Sequence, residues 1–177
     1  MYSLKNVKDW NLGFVPSLIT VAALALGVHA IRFLFMHDVY HAVLCIFAAA
    51  FLDGLDGRVA RYLQVSSKFG GTLDTLADFV NFGIVPAFIM YVQYFNRAHS
   101  PIYWVFIVGY ITCLALRLAR FSVIGMDDDR FFKGVPAPGA AFLLLFPVCL
   151  EYALKSYLNP LFFVYFSMPT ISFFIFS

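Results

Sequence analysis

The spacing of ionised side chains most constrains this chain, because it leaves five long apolar stretches between them. A bilayer-crossing helix needs about 20 mostly apolar residues. The stretches are each close to that length: Trp10–Ile31, Phe79–Asn96, Ala98–Leu116, Gly134–Leu150 and Ser156–Ser177. The helix that leads into Asp53 adds a further candidate. The pattern predicts an all-α, polytopic transmembrane helical bundle with about six spans.

The composition supports the same class of protein. Of the 177 residues, 62% are hydrophobic and only 12% are charged, whereas about 25% are charged in soluble domains. Little chain remains for a soluble domain, so we expect a single integral membrane domain over residues 1–177. Residues 1–15 mix charges with Trp10 and suit either a short interfacial helix or a disordered lead, with Pro16 opening the first span.

The basic residues are distributed unevenly between the two ends of the predicted spans. Three fall on one side: Arg32, Arg97 and Lys155. Nine fall on the other: Lys5, Lys8, Arg58, Arg61, Lys68, Arg117, Arg120, Arg130 and Lys133. The positive-inside rule makes the richer side cytoplasmic. We therefore expect a multi-pass protein of the cytoplasmic (inner) membrane, with membrane lipids as partners and no nucleic acid.

Four aspartates interrupt this apolar sequence between positions 53 and 78. Asp53 and Asp56 are spaced i, i+3, and Asp74 and Asp78 are spaced i, i+4, so each pair lies on one face of a helix. A turn that contains Ser66, Ser67, Gly70 and Gly71 separates the pairs. The sequence thus predicts an antiparallel helical hairpin.

The two pairs are expected to meet at one level. With a rise of about 1.5 Å per residue, each pair lies roughly 10–15 Å inside the loop-side end of its helix. Four carboxylates in a low-dielectric environment repel one another unless cations neutralise them. Two divalent ions would cancel the formal charge, and hard oxygen ligands suit Mg²⁺, Mn²⁺ or Ca²⁺ rather than zinc.

The arrangement of these residues resembles the signature of the CDP-alcohol phosphotransferases. The pattern is Asp-x-x-Asp-Gly-x-x-Ala-Arg, eight residues, then Gly-x-x-x-Asp-x-x-x-Asp, and all eight specified positions match: Asp53, Asp56, Gly57, Ala60, Arg61, Gly70, Asp74 and Asp78. Pro16–Thr20 also resembles the opening of the first helix in this family, with Ser17 in place of Asn.

This resemblance implies roles for the matching residues. Two divalent ions, Mg²⁺ or Mn²⁺, would be bound by Asp53, Asp56, Asp74 and Asp78, and Asp78 would also be the catalytic base for the acceptor hydroxyl. The nucleotide would lie against Asp56, Gly57, Ala60, Arg61 and Gly70. The resemblance also implies a homodimer.

Two looser motifs resemble the phosphatidylserine synthase branch of the family. They are the segment RLARF, which contains Arg117 and Arg120, and the Phe-x-Gly-hydrophobic-Pro-small-Pro stretch around Lys133. The branch implies CDP-diacylglycerol and L-serine as substrates. Arg117, Arg120 and Lys133 are then the candidates for the lipid phosphate or the carboxylate of the acceptor.

Three further matters stay open at the level of sequence. The acceptor could instead be glycerol 3-phosphate or inositol, with the same chemistry. Intramembrane carboxylates also line ion pathways, although here they cluster at one depth and no polar path continues across the membrane. Met168–Phe173, in the last segment 158–177, resembles a stretch that leads onward in the synthase branch, so we expect the chain to stop short of its family at the C-terminus.

Overall fold

Five helices make up the part of the chain that the computed structural model describes, residues 5–63, 67–95, 102–124 and 136–154. Helix α1 is Lys5–Phe35, α2 is Val39–Leu63, α4 is Ile102–Ile124 and α5 is Ala137–Leu154. Helix α3 consists of four consecutive segments: α-helical Lys68–Asp78, π-helical Phe79–Ile84, α-helical Val85–Met90 and π-helical Tyr91–Phe95.

The predicted all-α membrane bundle is confirmed. Four helices are long and apolar enough to cross a membrane, namely Phe14–Phe35, Val39–Leu63, Lys68–Tyr94 and Tyr103–Ser122, and a fifth apolar helix, Ala137–Ala153, is shorter. The predicted sixth span, 158–177, lies outside the described residues. The chain is therefore a multi-pass membrane protein.

Helix α1 differs from its prediction at Pro16. The sequence predicts that the first span begins there, but α1 continues through Pro16 without interruption from Lys5. The apolar span within α1, Phe14–Phe35, begins close to the predicted start, and residues 5–13 extend the same helix before it. Proline removes one helical hydrogen bond, a loss that membrane helices tolerate where neighbouring groups satisfy the freed backbone.

A tight turn reverses the chain between α1 and α2. His37 adopts φ 59°, in the left-handed region, and Asp38 then accepts a hydrogen bond from the backbone N–H of His41 at 3.2 Å. This bond lowers the pKa of the Asp38 carboxyl below its usual value. The turn sets α1 and α2 side by side, and they form the most extensive helix pair in the described structure.

Helix α3 lies at the centre of the bundle and packs against α1, α2, α4 and α5. Most residues of its stretch 81–90 are buried, and those that are not exposed at all include Phe82, Val85, Ala87, Ile89 and Met90. Apolar side chains of the other helices surround them in one core. Because α3 also carries Asp74 and Asp78, the central position of this helix draws both carboxylates into the bundle.

Pro86 produces a local departure from α-helical geometry rather than a break in α3. The Phe82 carbonyl would normally accept from the backbone N–H four residues later, but that residue is Pro86, which has no N–H. Tyr110 of α4 supplies the missing donor, because its hydroxyl donates to Phe82 O at 2.8 Å. A π-helical segment, Phe79–Ile84, directly follows Asp78 at this point.

The substitution Tyr110→Phe tests whether the Tyr110 hydroxyl replaces the hydrogen-bond donor that Pro86 lacks. It leaves a buried carbonyl without a donor, so we expect the free energy of unfolding to fall by about 1–2 kcal/mol. Unfolding in mixed micelles with increasing denaturing detergent would measure the change. Tyr62→Phe is the matched control, since it removes the same atom from a residue that is 87% exposed. Equal stability of the two variants would contradict the assignment.

Candidate active site

The four aspartates lie on two consecutive helices. Asp53 and Asp56 lie in α2, and Asp74 and Asp78 lie in the first α-helical segment of α3. Ser67 caps that segment, because its hydroxyl accepts from Gly70 N at 2.9 Å while its own backbone is extended. This cap fixes the register of α3 relative to its loop.

The start of α3 refines the predicted turn. Gly70 and Gly71 do not belong to the connection between the helices but to the first turn of α3. Ser67 marks the start of the helix because its side chain caps it, and the glycines that follow are inside the first turn. A Cβ at Gly70 would lie 3.0 Å from Ser67 Oγ and 3.6 Å from Ser17 Oγ, so this glycine allows α1 and the cap to approach α3.

The carboxylates converge as the spacing predicts. One oxygen from each of Asp53, Asp56 and Asp74 lies within 4.8 Å of the other two. The carboxyl groups of Asp53 and Asp78 lie within hydrogen-bonding reach of each other. Three of the acidic groups therefore converge between α2 and α3, and Asp78 lies next to Asp53 at the edge of this cluster.

The donor set fits a divalent cation. Asp56 is buried, and Asp53 and Asp74 are partly buried. The Oδ1 atom of Asp78 is also buried and accepts no hydrogen bond within the described structure. No lysine or arginine in the described ranges forms an ion pair with these groups. Hard oxygen donors of negative charge are the ligands that Mg²⁺, Mn²⁺ and Ca²⁺ prefer.

One contact to this cluster comes from a residue to which the sequence assigned no role. Thr20 of α1 donates from Oγ1 to Asp56 Oδ2 at 2.6 Å, and the bond is buried. The family-like opening around Pro16 was the only signal that drew attention to this position. Spacing along the chain could not have found the contact, because the two residues belong to different helices.

The residues predicted to bind the nucleotide surround the loop-side end of α2. A Cβ at Gly57 would meet nothing within 4 Å, so packing within the chain does not require glycine there and its surface is open. Ala60 is partly buried, and Arg61 is exposed and donates from Nε to Gly57 O at 3.0 Å. Gly70 lies in the first turn of α3, next to Ser67 and to Ser17 of α1. Small side chains and the basic Arg61 therefore follow Asp56 along α2.

A cavity of about 260 Å³ opens beside Asp78, between α3 and α4. Its lining consists of Thr75, Asp78, Arg117, Leu118, Phe121 and Ser122. Arg117 is only 8% exposed, and its Nε donates no hydrogen bond within the described residues. Its guanidinium carbon lies 5.1 Å from the centroid of the Phe121 ring. An arginine held in this way leaves N–H groups available to an anionic ligand.

The other predicted cations do not reach this cavity in the described structure. Arg120 is exposed and does not contribute to the lining, although its i, i+3 spacing from Arg117 suggested a shared face. The two side chains diverge because Arg117 turns inward against α3 while Arg120 faces outward. Lys133 lies outside the described residues.

Comparison with known proteins gives the same family as the signature. Residues 13–171 match the CDP-alcohol phosphatidyltransferase family. Proteins named CDP-diacylglycerol–serine O-phosphatidyltransferase are similar to this chain: one from Mycobacterium bovis is 42% identical over 141 residues, one from Helicobacter pylori 38% over 140, and one from Bacillus subtilis 34% over 140.

These alignments cover most of this chain but differ in how much of the relatives they include. They cover 76%, 77% and 76% of this chain, and 49%, 57% and 75% of the M. bovis, H. pylori and B. subtilis proteins respectively. The chain thus spans about half the length of the mycobacterial relative. The family match includes all four aspartates and extends over nearly the whole chain. From its sequence, its helical bundle and its converging carboxylates, the chain belongs to the CDP-alcohol phosphatidyltransferase family.

Proposed function

We propose that this protein transfers the phosphatidyl group of CDP-diacylglycerol to L-serine, which yields phosphatidylserine and CMP. The observation that carries the proposal is the convergence of Asp53, Asp56 and Asp74, with Asp78 beside them, at the positions of the family signature. The names of the relatives support serine as the acceptor. The membrane-spanning helices suit a substrate whose acyl chains stay in the bilayer.

The proposed cofactors are two divalent cations, Mg²⁺ or Mn²⁺, held by the four aspartates. When bound there, such ions supply positive charge that polarises phosphoryl oxygens and stabilises a leaving phosphate. The chain itself contributes the carboxylates and the apolar surroundings that exclude water from them. Ions at this site would also relieve the mutual repulsion of the carboxylates.

Asp78 is the proposed general base. Asp78 belongs to the lining of the cavity, and its buried Oδ1 accepts no hydrogen bond in the described structure. A serine hydroxyl in that cavity could transfer its proton to this oxygen while its own oxygen forms a bond to the phosphorus. The bond between that phosphorus and the oxygen of CMP then breaks, and CMP leaves with the electron pair.

Arg117 is the proposed partner of the serine carboxylate. The cavity places its guanidinium and Asp78 on one lining, so a single small molecule could contact both groups. Burial and the missing partner at Nε mean that the arginine is already desolvated and available before a ligand binds. A charged hydrogen bond in such surroundings contributes about 1.5–3 kcal/mol. Arg120 and Lys133 stay candidates for lipid phosphate on the basis of their sequence positions alone.

The nucleotide is proposed to lie against Asp56, Gly57, Ala60, Arg61 and Gly70. The open surface at Gly57 supports this placement, because a ligand can approach the α2 backbone there. Arg61 would have to exchange its bond to the Gly57 carbonyl for a phosphate oxygen.

The proposal also covers the membrane face of the active site, the domain organisation and the oligomeric state. The basic residues near the site favour the cytoplasmic face of the inner membrane by the positive-inside rule. A single catalytic membrane domain over residues 1–177 is expected from the length and apolar composition, and a homodimer from the family resemblance.

CMP release from CDP-diacylglycerol by the purified full chain tests the reaction. We expect release that requires both Mg²⁺ or Mn²⁺ and L-serine, and Asp78→Asn should lower it by at least about 100-fold because a general base contributes at least that much. Asp38→Asn is the control, since Asp38 lies in the exposed turn at the opposite end of α2. Release only with glycerol 3-phosphate or inositol would overturn the serine assignment, and no release with any acceptor would overturn the proposed reaction.

The substitution Arg117→Lys tests the acceptor site. Lysine keeps the charge but loses the planar donor arrangement that binds a carboxylate, so we expect the KM for serine to rise at least about tenfold. The KM for CDP-diacylglycerol should change little. Arg32→Lys, in the last turn of α1 far from the site, controls for a general effect of the exchange. An unchanged KM for serine would contradict the role of Arg117.

A further inference from the structure

Helix α1 carries none of the four aspartates, yet one of its side chains contacts the cluster directly. Thr20 is 4% exposed, and its Oγ1 lies 2.6 Å from Asp56 Oδ2. This distance is typical of a hydroxyl that donates to an ionised carboxylate, and such bonds are stronger than bonds between neutral groups. The contact joins positions 36 residues apart in sequence and therefore depends on the tertiary structure.

The Thr20 hydroxyl has a second acceptor within reach, and it has only one proton. The carbonyl oxygen of Pro16 lies 3.1 Å from Oγ1, on the preceding turn of the same helix. A carboxylate at 2.6 Å is the better acceptor, because it carries charge and lies closer. The proton therefore goes to Asp56, and the bond to Pro16 is the alternative for a hydroxyl that has lost its carboxylate.

The position of Thr20 is fixed on both sides by close packing of α1. Toward the loop, Ser17 is buried, and its Oγ lies 3.6 Å from the point where a Cβ at Gly70 would be. In the other direction, a Cβ at Gly27 would overlap the buried side chain of Asn81 in α3. These two contacts hold the α1 backbone against the hairpin above and below Thr20. The hydroxyl has little freedom to move away from Asp56.

Asp56 is the carboxylate for which such a contact matters most. It is 5% exposed, whereas Asp53 and Asp74 are only partly buried, so less water is available to orient it. A carboxylate has about four lone-pair sites, and one hydrogen bond leaves the others free for a cation. Groups that hydrogen-bond to metal ligands orient them, and their removal typically costs 10–100-fold in metal affinity.

We propose that Thr20 is a positioning residue for the metal site, whose hydroxyl holds the Asp56 carboxylate in the orientation that binds a divalent cation. The inference rests on the proposed metal site of the four aspartates. It assigns to α1 a part in cation binding that is separate from its part in the packing of the bundle. In this role Thr20 orients a metal ligand and does not itself bind the cation.

The affinity of the purified full chain for Mn²⁺, measured by titration in the absence of substrates, tests the proposal. We expect Thr20→Val, which keeps the shape but loses the hydroxyl, to weaken Mn²⁺ affinity at least about tenfold. Thr20→Ser restores the donor and should bind within about threefold of the original chain. Thr72→Val is the matched control, because the Thr72 hydroxyl donates only to Lys68 O on its own helix.

Each outcome decides between a positioning and a purely structural role. Mn²⁺ affinity of Thr20→Val equal to that of Thr72→Val would overturn the proposal, and so would a serine variant as weak as the valine variant. If Thr20→Val does not fold even with saturating Mn²⁺, the hydroxyl serves the fold and the proposal is also overturned. Absence of Mn²⁺ binding by the original chain would instead refute the metal site itself, which distinguishes the two failures.

Discussion

The structure depends on the cost of placing four carboxylates among apolar membrane helices. An ionised group in such surroundings is unfavourable unless an opposite charge or hydrogen bonds compensate it. Here the described lysines and arginines do not pair with the aspartates, and one oxygen of Asp78 has no partner. The bundle therefore holds a negative cluster that a cation would stabilise. The central place of α3, the serine cap and the packing of α1 all serve to hold that cluster together.

The helices divide this work between them. Helices α2 and α3 supply the charge, through side chains spaced i, i+3 and i, i+4. Helix α4 adds Arg117 beside Asp78 and closes the cavity, while its Tyr110 replaces the hydrogen bond that Pro86 removes from α3. Helix α1 contributes a hydroxyl to Asp56 instead of a charge. A buried cluster of like charges thus involves residues from four helices, although only two helices carry the acids.

Much of this could be predicted from the sequence because it depends on local periodicity. The apolar stretches predicted the membrane helices, and the predicted helix that leads into Asp53 is α2, Val39–Leu63. The aspartate spacings predicted that the two pairs meet, and the structure brings Asp53, Asp56 and Asp74 together. Both results follow from the rise and period of a helix, and these vary little with surroundings.

The remainder could not be predicted because it depends on contacts between helices. The continuation of α1 from Lys5 through Pro16 was not predicted, because a membrane helix tolerates a proline where neighbouring groups satisfy the freed backbone. Arg117 and Arg120 share a spacing typical of one face, yet packing against α3 buries only the first. The bond from Thr20 to Asp56 joins two helices, so no pattern within either helix encodes it.

The most direct test of the account is a crystal structure of the full chain grown with Mn²⁺, with anomalous differences measured at the manganese edge. The account predicts anomalous peaks bounded by Asp53, Asp56, Asp74 and Asp78, and no comparable peak at the exposed Asp38. Peaks that are absent from the cluster at saturating Mn²⁺ would contradict it. So would a lysine or arginine found in ion pairs with these carboxylates, because the negative cluster would then need no metal.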